Sequence, residues 1–576
     1  MINQKLAHLF YQLAEYLEMN EVAFKPQAYL RVALNIENMP EDLEEIYRQK
    51  GAGGLKDLPG IGQGIAEKIE EFIKTGRIGE LEKLRRQTPV DIEALTKIEG
   101  IGPKTIRTLY KELGVKNVAD LEKAAKSQKI RQLEGFGAKT EENILSAVRF
   151  SRQDADRFLL GFIWPAVEEV KNKLAKVPGV RRVEVAGSLR RRQETVGDID
   201  LLAVSSQPQK LIDFFTSLPN VEKIYGQGQT KANVRLDWGI DADLRVVPPK
   251  SFGAALQYFT GNKDHNIALR KIAIQRGYKL NEYGVFALGA KKEENLVTGE
   301  SEKDIYNFLG LQYLPPEARE NTGEIELAQA NKFPRLVGYG DVLGDLQMHT
   351  RWSDGAYSIL EMAQAAKKLG RQYILITDHA GRLEIAGGLK EADLQKQMVE
   401  IETADKKISG LKILKGAEVD IDKDGRLHID DATLSRLDIV LGSIHSGFKI
   451  NKQEMTRRVC QAMQSPHLDV WAHPSGRLLQ RREGYQVDWG EIFRAAKKTN
   501  TAIEINAYPE RLDLSWPKVK DAIAAGVKLT IGTDSHSIDH LKYLDLGVSV
   551  ARRGWAAKKD ILNCLSWQDL LKYFRK

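Results

Sequence analysis

The sequence predicts a multidomain protein with helical hairpin domains first, an α/β unit in the middle and a seven-stranded β/α barrel at the end. Three observations carry this. A Gly-x-Gly turn between an apolar residue and a new amphipathic helix occurs three times before residue 150. The run 187–200 joins two segments of strand-like alternation and ends in two carboxylates two residues apart. Beyond residue 341, seven short apolar runs alternate with helix-like stretches, and nearly every run ends in His, Asp, Glu or Asn. Polar residues at the C-terminal ends of strands are how a β/α barrel builds its site.

Composition sets the outer limits. With 576 residues, 29% of them charged and 42% hydrophobic, the chain is long enough for several soluble globular domains. Its net charge of +7 suits a polyanionic partner without requiring one. Cys460 and Cys564 are the only cysteines, which excludes a disulfide framework and a Cys-based zinc site and implies a reducing compartment, the cytoplasm. The first twenty residues form an amphipathic pattern interrupted by acids, so neither a signal peptide nor a membrane span is expected.

Residues 1–50 read as helices, followed by LKDLPGIGQGIAEKIEEFIKTG (55–76), IEGIGPKTIRTLYKELG (98–114) and LEGFGAKTEENILSAV (133–148). These are helix-hairpin-helix units. Gly60, Gly62, Gly100, Gly102, Gly135 and Gly137 let the backbone approach a phosphate and offer it N–H groups, which positions DNA without reading its sequence. One such turn would be a plain connection. Three, each followed by a helix bearing lysine or arginine, imply nonspecific DNA binding, and no preceding strand supports a dinucleotide fold.

In the middle, RRVEVA (181–186) and DIDLLAVS (198–205) read as strands flanking a short basic segment. Asp198 and Asp200 share one strand face while Ile199 and Leu201 point into a core. Adjacent carboxylates repel unless a cation lies between them, and two Mg²⁺ ions can clamp the attacking and leaving oxygens of a phosphoryl transfer. A third carboxylate, Asp241 or Asp243, is available in IDADLRVVP (240–248). The arrangement G-S-x₈-G-D-x-D, with Arg190 and Arg191 inside it, resembles the nucleotidyltransferase signature of family X DNA polymerases, the DNA polymerase beta relatives. The resemblance implies that Gly187, Ser188, Arg191 and Gly197 bind the triphosphate of a dNTP and that Asp198 and Asp200 hold two Mg²⁺ or Mn²⁺ ions. It picks Asp243 to activate the primer 3′-hydroxyl, with Asp241 as the fallback.

The resemblance extends in both directions. LPGIGQGIAEKIEEF is similar to the small lyase domain of that family, which places Lys68 as the lysine forming a Schiff base with an abasic sugar, and Lys25 and Tyr29 in the region binding the 5′ phosphate. Gly64 stands where a phosphate-binding lysine is expected. A partly desolvated amine beside other cations would lose its proton near neutral pH, whereas a solvated helix lysine would not. Arg157 sits at the spacing of a second triphosphate arginine, just before a helix expected over 158–176. SFGAALQYFTGNKDHNIALRKIAIQRGYKLNEYGVF (251–286) is again similar. There Tyr258 and Phe259 would form the wall that disfavours ribose, Asn266 would reach the minor-groove edge of the incoming base, and Arg270 would contact the template. Lys263 departs from the acidic residue of the animal enzyme.

Proline and acid content marks 314–341 as a connection, after which eight of the ten histidines occur. His349, Asp354, His379, Glu418, His445, His473, Asp534 and His536 are nitrogen and oxygen donors that suit Zn²⁺ or Mn²⁺. Their order resembles the polymerase and histidinol phosphatase (PHP) domain, a distorted (β/α)7 barrel with a trinuclear site that hydrolyses phosphoesters. By that resemblance Gln347, His349, Glu418 and Asp534 serve one metal, Glu418, His445 and His473 a second, and Asp354, His379 and His536 a third. Gln347 replaces the histidine of D-L-H-x-H-T, so the first metal is expected to bind weakest. His428, His467 and His540 match no ligand position, and Arg477 reads as a surface arginine, with a phosphate contact as the alternative.

The domains expected are an 8-kDa-like lyase and DNA-binding domain at 1–85, a fingers-like helix-hairpin-helix domain at 86–150, and an α/β nucleotidyltransferase palm at 151–247. A thumb that binds the nascent base pair at 248–316, a linker at 317–336 and a PHP domain at 337–576 follow. The resemblance implies a monomeric repair polymerase that fills short gaps in gapped or nicked duplex DNA with dNTPs, trims 3′ ends as a 3′–5′ exonuclease or phosphoesterase, and carries an abasic-site lyase. A non-enzymatic DNA-end binder with relic sites and a template-independent nucleotidyltransferase are the alternatives. Three hairpin units suit duplex DNA and weigh against the latter.

Overall fold

A computed structural model describes residues 2–575 except 38, 40, 59, 97, 99, 155, 156, 289–295 and 382–386. The amphipathic N-terminal segments form helices, among them Ile2–Met19, Gln63–Thr75, Pro103–Leu113 and Ala138–Asp154. The three hairpins repeat one turn. The N–H groups of Ile61, Ile101 and Phe136 donate to the carbonyls of Leu58, Ile98 and Leu133 at 3.1, 3.0 and 3.0 Å. Gly60, Gly100 and Gly135 occupy the third position with φ of 78, 82 and 84°, a left-handed conformation that glycine alone adopts without penalty. From Leu6 and Phe10 through Ile106 to Val148 these helices share one continuous core, so the boundary expected at residue 85 is no break in packing.

The middle unit is a five-stranded sheet of β1 (Val180–Val185), β2 (Asp198–Ser205), β3 (Val221–Gln227), β4 (Lys231–Leu236) and β5 (Asp241–Val246), in the order β1-β2-β5-β4-β3. Only β2 and β5 run parallel to each other. The helix expected from residue 158 begins at Leu160, because Phe158–Leu159 is extended and pairs with Thr195–Val196. Helices Phe252–Thr260 and Lys263–Gln275 follow, with a small sheet of β6 (Tyr278–Asn281), β7 (Gly284–Ala287) and β8 (Leu296–Thr298).

Segment 317–336 is not a solvated linker. Arg319 and Glu324 are fully buried, Glu324–Gln329 is helical, and Phe333 and Leu336 join the core of the preceding unit. Arg319 and Glu324 are buried as charged partners. Arg319 donates to Glu302 at 2.6 Å, Arg190 donates to the same carboxylate at 2.8 and 2.6 Å, and Glu324 meets His265 at 2.8 Å. Each would be costly to bury alone.

Each of the seven expected runs of the C-terminal part overlaps a strand. In order the strands are β9 (Gly344–Asp345), β10 (Tyr373–Ile376), β11 (Lys412–Asp420), β12 (Ile439–Ser443), β13 (Val470–Trp471), β14 (Ala502–Asn506) and β15 (Leu529–Gly532). Every neighbouring pair is parallel. The His349 N–H donates to the Ser535 carbonyl at 2.8 Å, bringing the last run back to the first and nearly closing the barrel. The sheet of the middle unit and the barrel's outer helices share a hydrophobic core that runs from Leu160 and Ile199 to Leu546 and Val550. No helix among the described residues is long and apolar enough to cross a membrane.

Two candidate metal centres and their surroundings

Parallel pairing sets Asp198 opposite Asp241 and Asp200 opposite Asp243. Asp241 forms a 2.8 Å ion pair with Arg235 at the half-exposed end of the sheet. Asp243 accepts a hydrogen bond from the Asn233 amide and turns toward the other pair. Burial, followed by the charges of Asp198 and Asp243, pushes the Asp200 carboxyl up to about 7. Asp198, at the exposed rim, is also raised, by desolvation within the cleft and then by Asp243. A cleft in which Asp198 and Asp200 both resist ionisation, with a third carboxylate beside them, fits divalent cations.

The adjoining loop is built to approach them. Gly187 has φ of 61°, and a Cβ there would collide with the Asp200 carboxylate. Ser188 Oγ is buried without a hydrogen-bond partner among the described residues, as a ligand-binding hydroxyl would be. A cavity of 580 Å³ opens beside it, lined by every residue expected around a nucleotide, from Arg157, Gly187 and Arg191 to Asn266 and Arg270. Arg157 is held by Thr195 at 2.8 and 2.5 Å. Tyr258 and Phe259 meet edge to face, their centroids 5.2 Å apart.

Asn266 departs from expectation. It is 8% exposed, and its amide accepts from Gln257 at 2.6 Å and donates to the Tyr258 carbonyl at 2.7 Å. A buried amide must be satisfied, and here Gln257 and Tyr258 of the preceding helix satisfy it where it borders the cavity.

In the helical part Lys25 is exposed at a helix start, but Tyr29 is buried and stacks on Phe10 at 5.7 Å, so its ring is core rather than a DNA contact. Lys68 is not beside other cations. Its Nζ lies 2.9 Å from Glu80 and 5.8 Å from the centre of the Tyr29 ring. Burial favours the neutral amine, but hydrogen bonds with Glu80 and Tyr29 outweigh it and raise the pKa.

The barrel centre gathers all eight expected donors near the C-terminal ends of its strands. His349 lies 3.1 Å from Asp534 and 3.4 Å from Glu418, and Glu418 lies 2.8 Å from His473 and 3.1 Å from His445. His379 and His536 flank Asp354 at 3.6 and 3.4 Å. The tightest groups are His349/Glu418/Asp534, His379/Glu418/His445 and His349/Asp354/His379/His536. Two of them differ from the expected sets: His379 replaces His473 beside His445, and His349 faces two groups, its ring tilted against that of His379 with centroids 4.4 Å apart. Nδ1 of His349 and of His379 are buried without hydrogen-bond partners among the described residues, which fits nitrogen ligands for Zn²⁺ or Mn²⁺. Burial alone would raise the Glu418 carboxyl, yet His379 and hydrogen bonds from His349, His445 and His473 hold it well below its ordinary range.

Gln347 is fully buried among these groups. Its amide donates to Glu418 at 3.0 Å and accepts from Asn506 at 3.2 Å. Sequence reasoning missed Asp420, which receives His445 Nδ1 at 2.6 Å, and Asn506, which touches Asp534 at 3.1 Å. Each stands two residues beyond a buried strand glutamate, Glu418 or Glu504, so the same-face rule applied to Asp198 and Asp200 would have found both. Arg477 is not a surface residue: its guanidinium grips Glu194 of the middle unit at 3.2 and 2.8 Å.

Residues 1–78 match a helix-hairpin-helix domain, 92–149 a SAM-like helix-hairpin-helix tandem, 255–320 the DNA polymerase beta thumb and 345–508 the PHP domain. The chain is 38% identical over 584 residues to the DNA polymerase/3'-5' exonuclease PolX of Bacillus subtilis (strain 168), covering 100% of both chains, so the likeness spans helical, α/β and barrel parts alike. It is 25% identical to DNA polymerase lambda of Arabidopsis thaliana over 55% of this chain and 62% of that one. The corresponding figures for DNA polymerase lambda of Rattus norvegicus are 27%, 46% and 48%.

Proposed function

The chain belongs to the PolX family, the family X DNA polymerases with a C-terminal PHP domain, and from that premise we infer that it fills short gaps in duplex DNA and trims 3′ ends. One observation carries the synthetic half: three carboxylates from adjacent parallel strands crowd against a glycine loop at a cavity with arginines on its wall. When bound, Mg²⁺ or Mn²⁺ would stabilise the charge that develops on the transferring phosphoryl group. Asp198, Asp200 and Asp243 would hold the ions. Arg157, Ser188 and Arg191 bind the triphosphate, and Tyr258 with Phe259 closes the sugar side against a 2′-hydroxyl. Asp243, one oxygen held by Asn233, takes the proton of the primer 3′-hydroxyl. The hairpin N–H groups grip the DNA backbone.

In the barrel, the histidines and carboxylates around Glu418 would hold up to three Zn²⁺ or Mn²⁺ ions, which supply a nucleophilic water for phosphodiester hydrolysis. Lys68, once its ammonium has lost a proton to solvent, attacks the C1′ aldehyde of an abasic 5′-deoxyribose phosphate and forms an imine with loss of water. A gapped duplex incubated with dNTPs, with and without Mn²⁺, tests the principal reading. Extension by one to a few nucleotides supports it, and binding without extension overturns it in favour of a DNA-end binder.

A further inference from the structure

The palm's triphosphate arginine is held from outside the palm. Arg191 Nε donates to Glu320 Oε1 at 3.2 Å, and its NH1 donates to the Thr260 carbonyl. A guanidinium has five N–H groups in one plane. Engaging Nε and one NH1 hydrogen leaves the rest of the fork for the cavity that Arg191 lines.

Glu320 is itself over-determined. The same Oε1 accepts from Gln193 at 2.7 Å and from Arg553 NH1 at 3.1 Å, while Oε2 accepts from Asn262 at 3.0 Å. Gln193 and Asn262 also line the cavity. Arg553 ends the helix Leu544–Arg553 of the barrel domain, and its NH1 additionally donates to the backbone carbonyl of Arg191 at 2.8 Å. Its side chain is fully buried over Trp516, with Nε and NH2 unpartnered among the described residues. A buried cation with this few hydrogen bonds is costly, so its placement calls for an explanation beyond packing.

We infer that Glu320 and Arg553 are positioning residues for the triphosphate site, so that the barrel domain completes the nucleotide-binding face of the polymerase. The electrostatics explain why both are needed. A carboxylate on Arg191 alone would orient the fork but set a negative charge beside an incoming triphosphate. Arg553 shares that carboxylate and neutralises it, so Arg191 stays oriented while the cluster keeps a net positive charge. Neither Glu320 nor Arg553 lines the cavity, and neither contacts the metal-site carboxylates, so their effect falls on nucleotide binding rather than on the chemical step.

The inference rests on the nucleotidyl-transfer reading of that cavity, and the test separates the two. Full-length wild type, Glu320→Gln and Arg553→Met are compared in single-gap filling, with inorganic pyrophosphate as an inhibitor that probes the triphosphate subsite alone. The expected result is a KM for dNTP raised roughly tenfold in each variant, about the loss of one charge-assisted hydrogen bond, with pyrophosphate inhibition weakened by a similar factor and kcat nearly unchanged. Affinity for the gapped DNA and digestion of single-stranded DNA serve as controls of folding and should match wild type. A wild type that adds no nucleotide overturns the underlying reading. A wild type that extends, with variants that keep its KM and pyrophosphate inhibition, overturns this inference. A fall in kcat alone, or parallel loss of DNA affinity and digestion, makes the pair structural only and also overturns it.

Discussion

Asp200 on β2 and Asp243 on β5 stand directly opposite each other on parallel neighbours, and their mutual repulsion in a partly buried cleft helps lift the Asp200 carboxyl to about 7. Such a pair stores an electrostatic cost that a divalent cation releases. Asp198→Ala, Asp200→Ala and Asp243→Ala should each lower the rate of nucleotide addition roughly 10³-fold or more, while affinity for gapped DNA, supplied by the hairpins, stays close to wild type. Asp241→Ala should extend almost normally, since Asp241 is paired with Arg235. Primer extension and a binding titration measure both, and normal extension by Asp243→Ala would sink the assignment.

The barrel should act separately from the palm. His379→Ala, His473→Ala and Asp534→Ala are expected to stop digestion of single-stranded DNA from its 3′ end and to spare gap filling. Gln347→His should increase metal content and digestion at limiting Mn²⁺, because an imidazole nitrogen is the better donor at a position already enclosed by Glu418 and Asn506. Metal analysis and nuclease rates that are unchanged in Gln347→His would place this residue outside the ligand set.

Lys68 carries a raised pKa, so its amine is protonated at neutral pH and imine formation should grow as pH rises from 7 to 9. Glu80→Gln removes the partner that holds the proton and should move this rise to lower pH. Borohydride trapping on an abasic 5′-deoxyribose phosphate reads both. Equal trapping by Lys68→Ala would return Lys68 to a structural helix lysine.

Burial would raise the Glu302 carboxyl, but Arg319 and Arg190 outweigh it and depress it from 4.5 to about 2. A depressed acid stabilises the fold above its unfolded pKa and loses that contribution as pH falls through the folded one. Glu302→Gln should therefore destabilise the thumb by about 3–5 kcal/mol near neutral pH, because it leaves buried arginines unpaired. The difference from wild type should shrink between pH 4.5 and 2. Amide exchange of residues 252–308 as a function of pH measures it, and a difference independent of pH would exclude this ion pair as the cause.

Much of the site was legible because its signals are local. A turn glycine, two aspartates on one strand face and a ligand at the end of each barrel strand are patterns of period two or three, set by backbone geometry within a few residues. The run 198–205 emerges as β2 without adjustment, and each of the seven barrel runs overlaps a strand in the expected order.

What the sequence by itself determined was therefore the set of elements, their order and the chemical types at each centre. Tertiary structure decided the partners. Segment 317–336 has the acids of a solvated strap, yet Glu320 and Glu324 answer Arg191, Arg553 and His265, residues between 59 and 233 positions away. Lys68 was expected among cations and meets Glu80, while His349 and His379, with ring centroids 4.4 Å apart, are each shared between two of the donor groups. Composition cannot say whether a charge faces water or another charge. That depends on which distant segment packs over it, and once water is excluded the nearest opposite charge fixes both its geometry and its protonation.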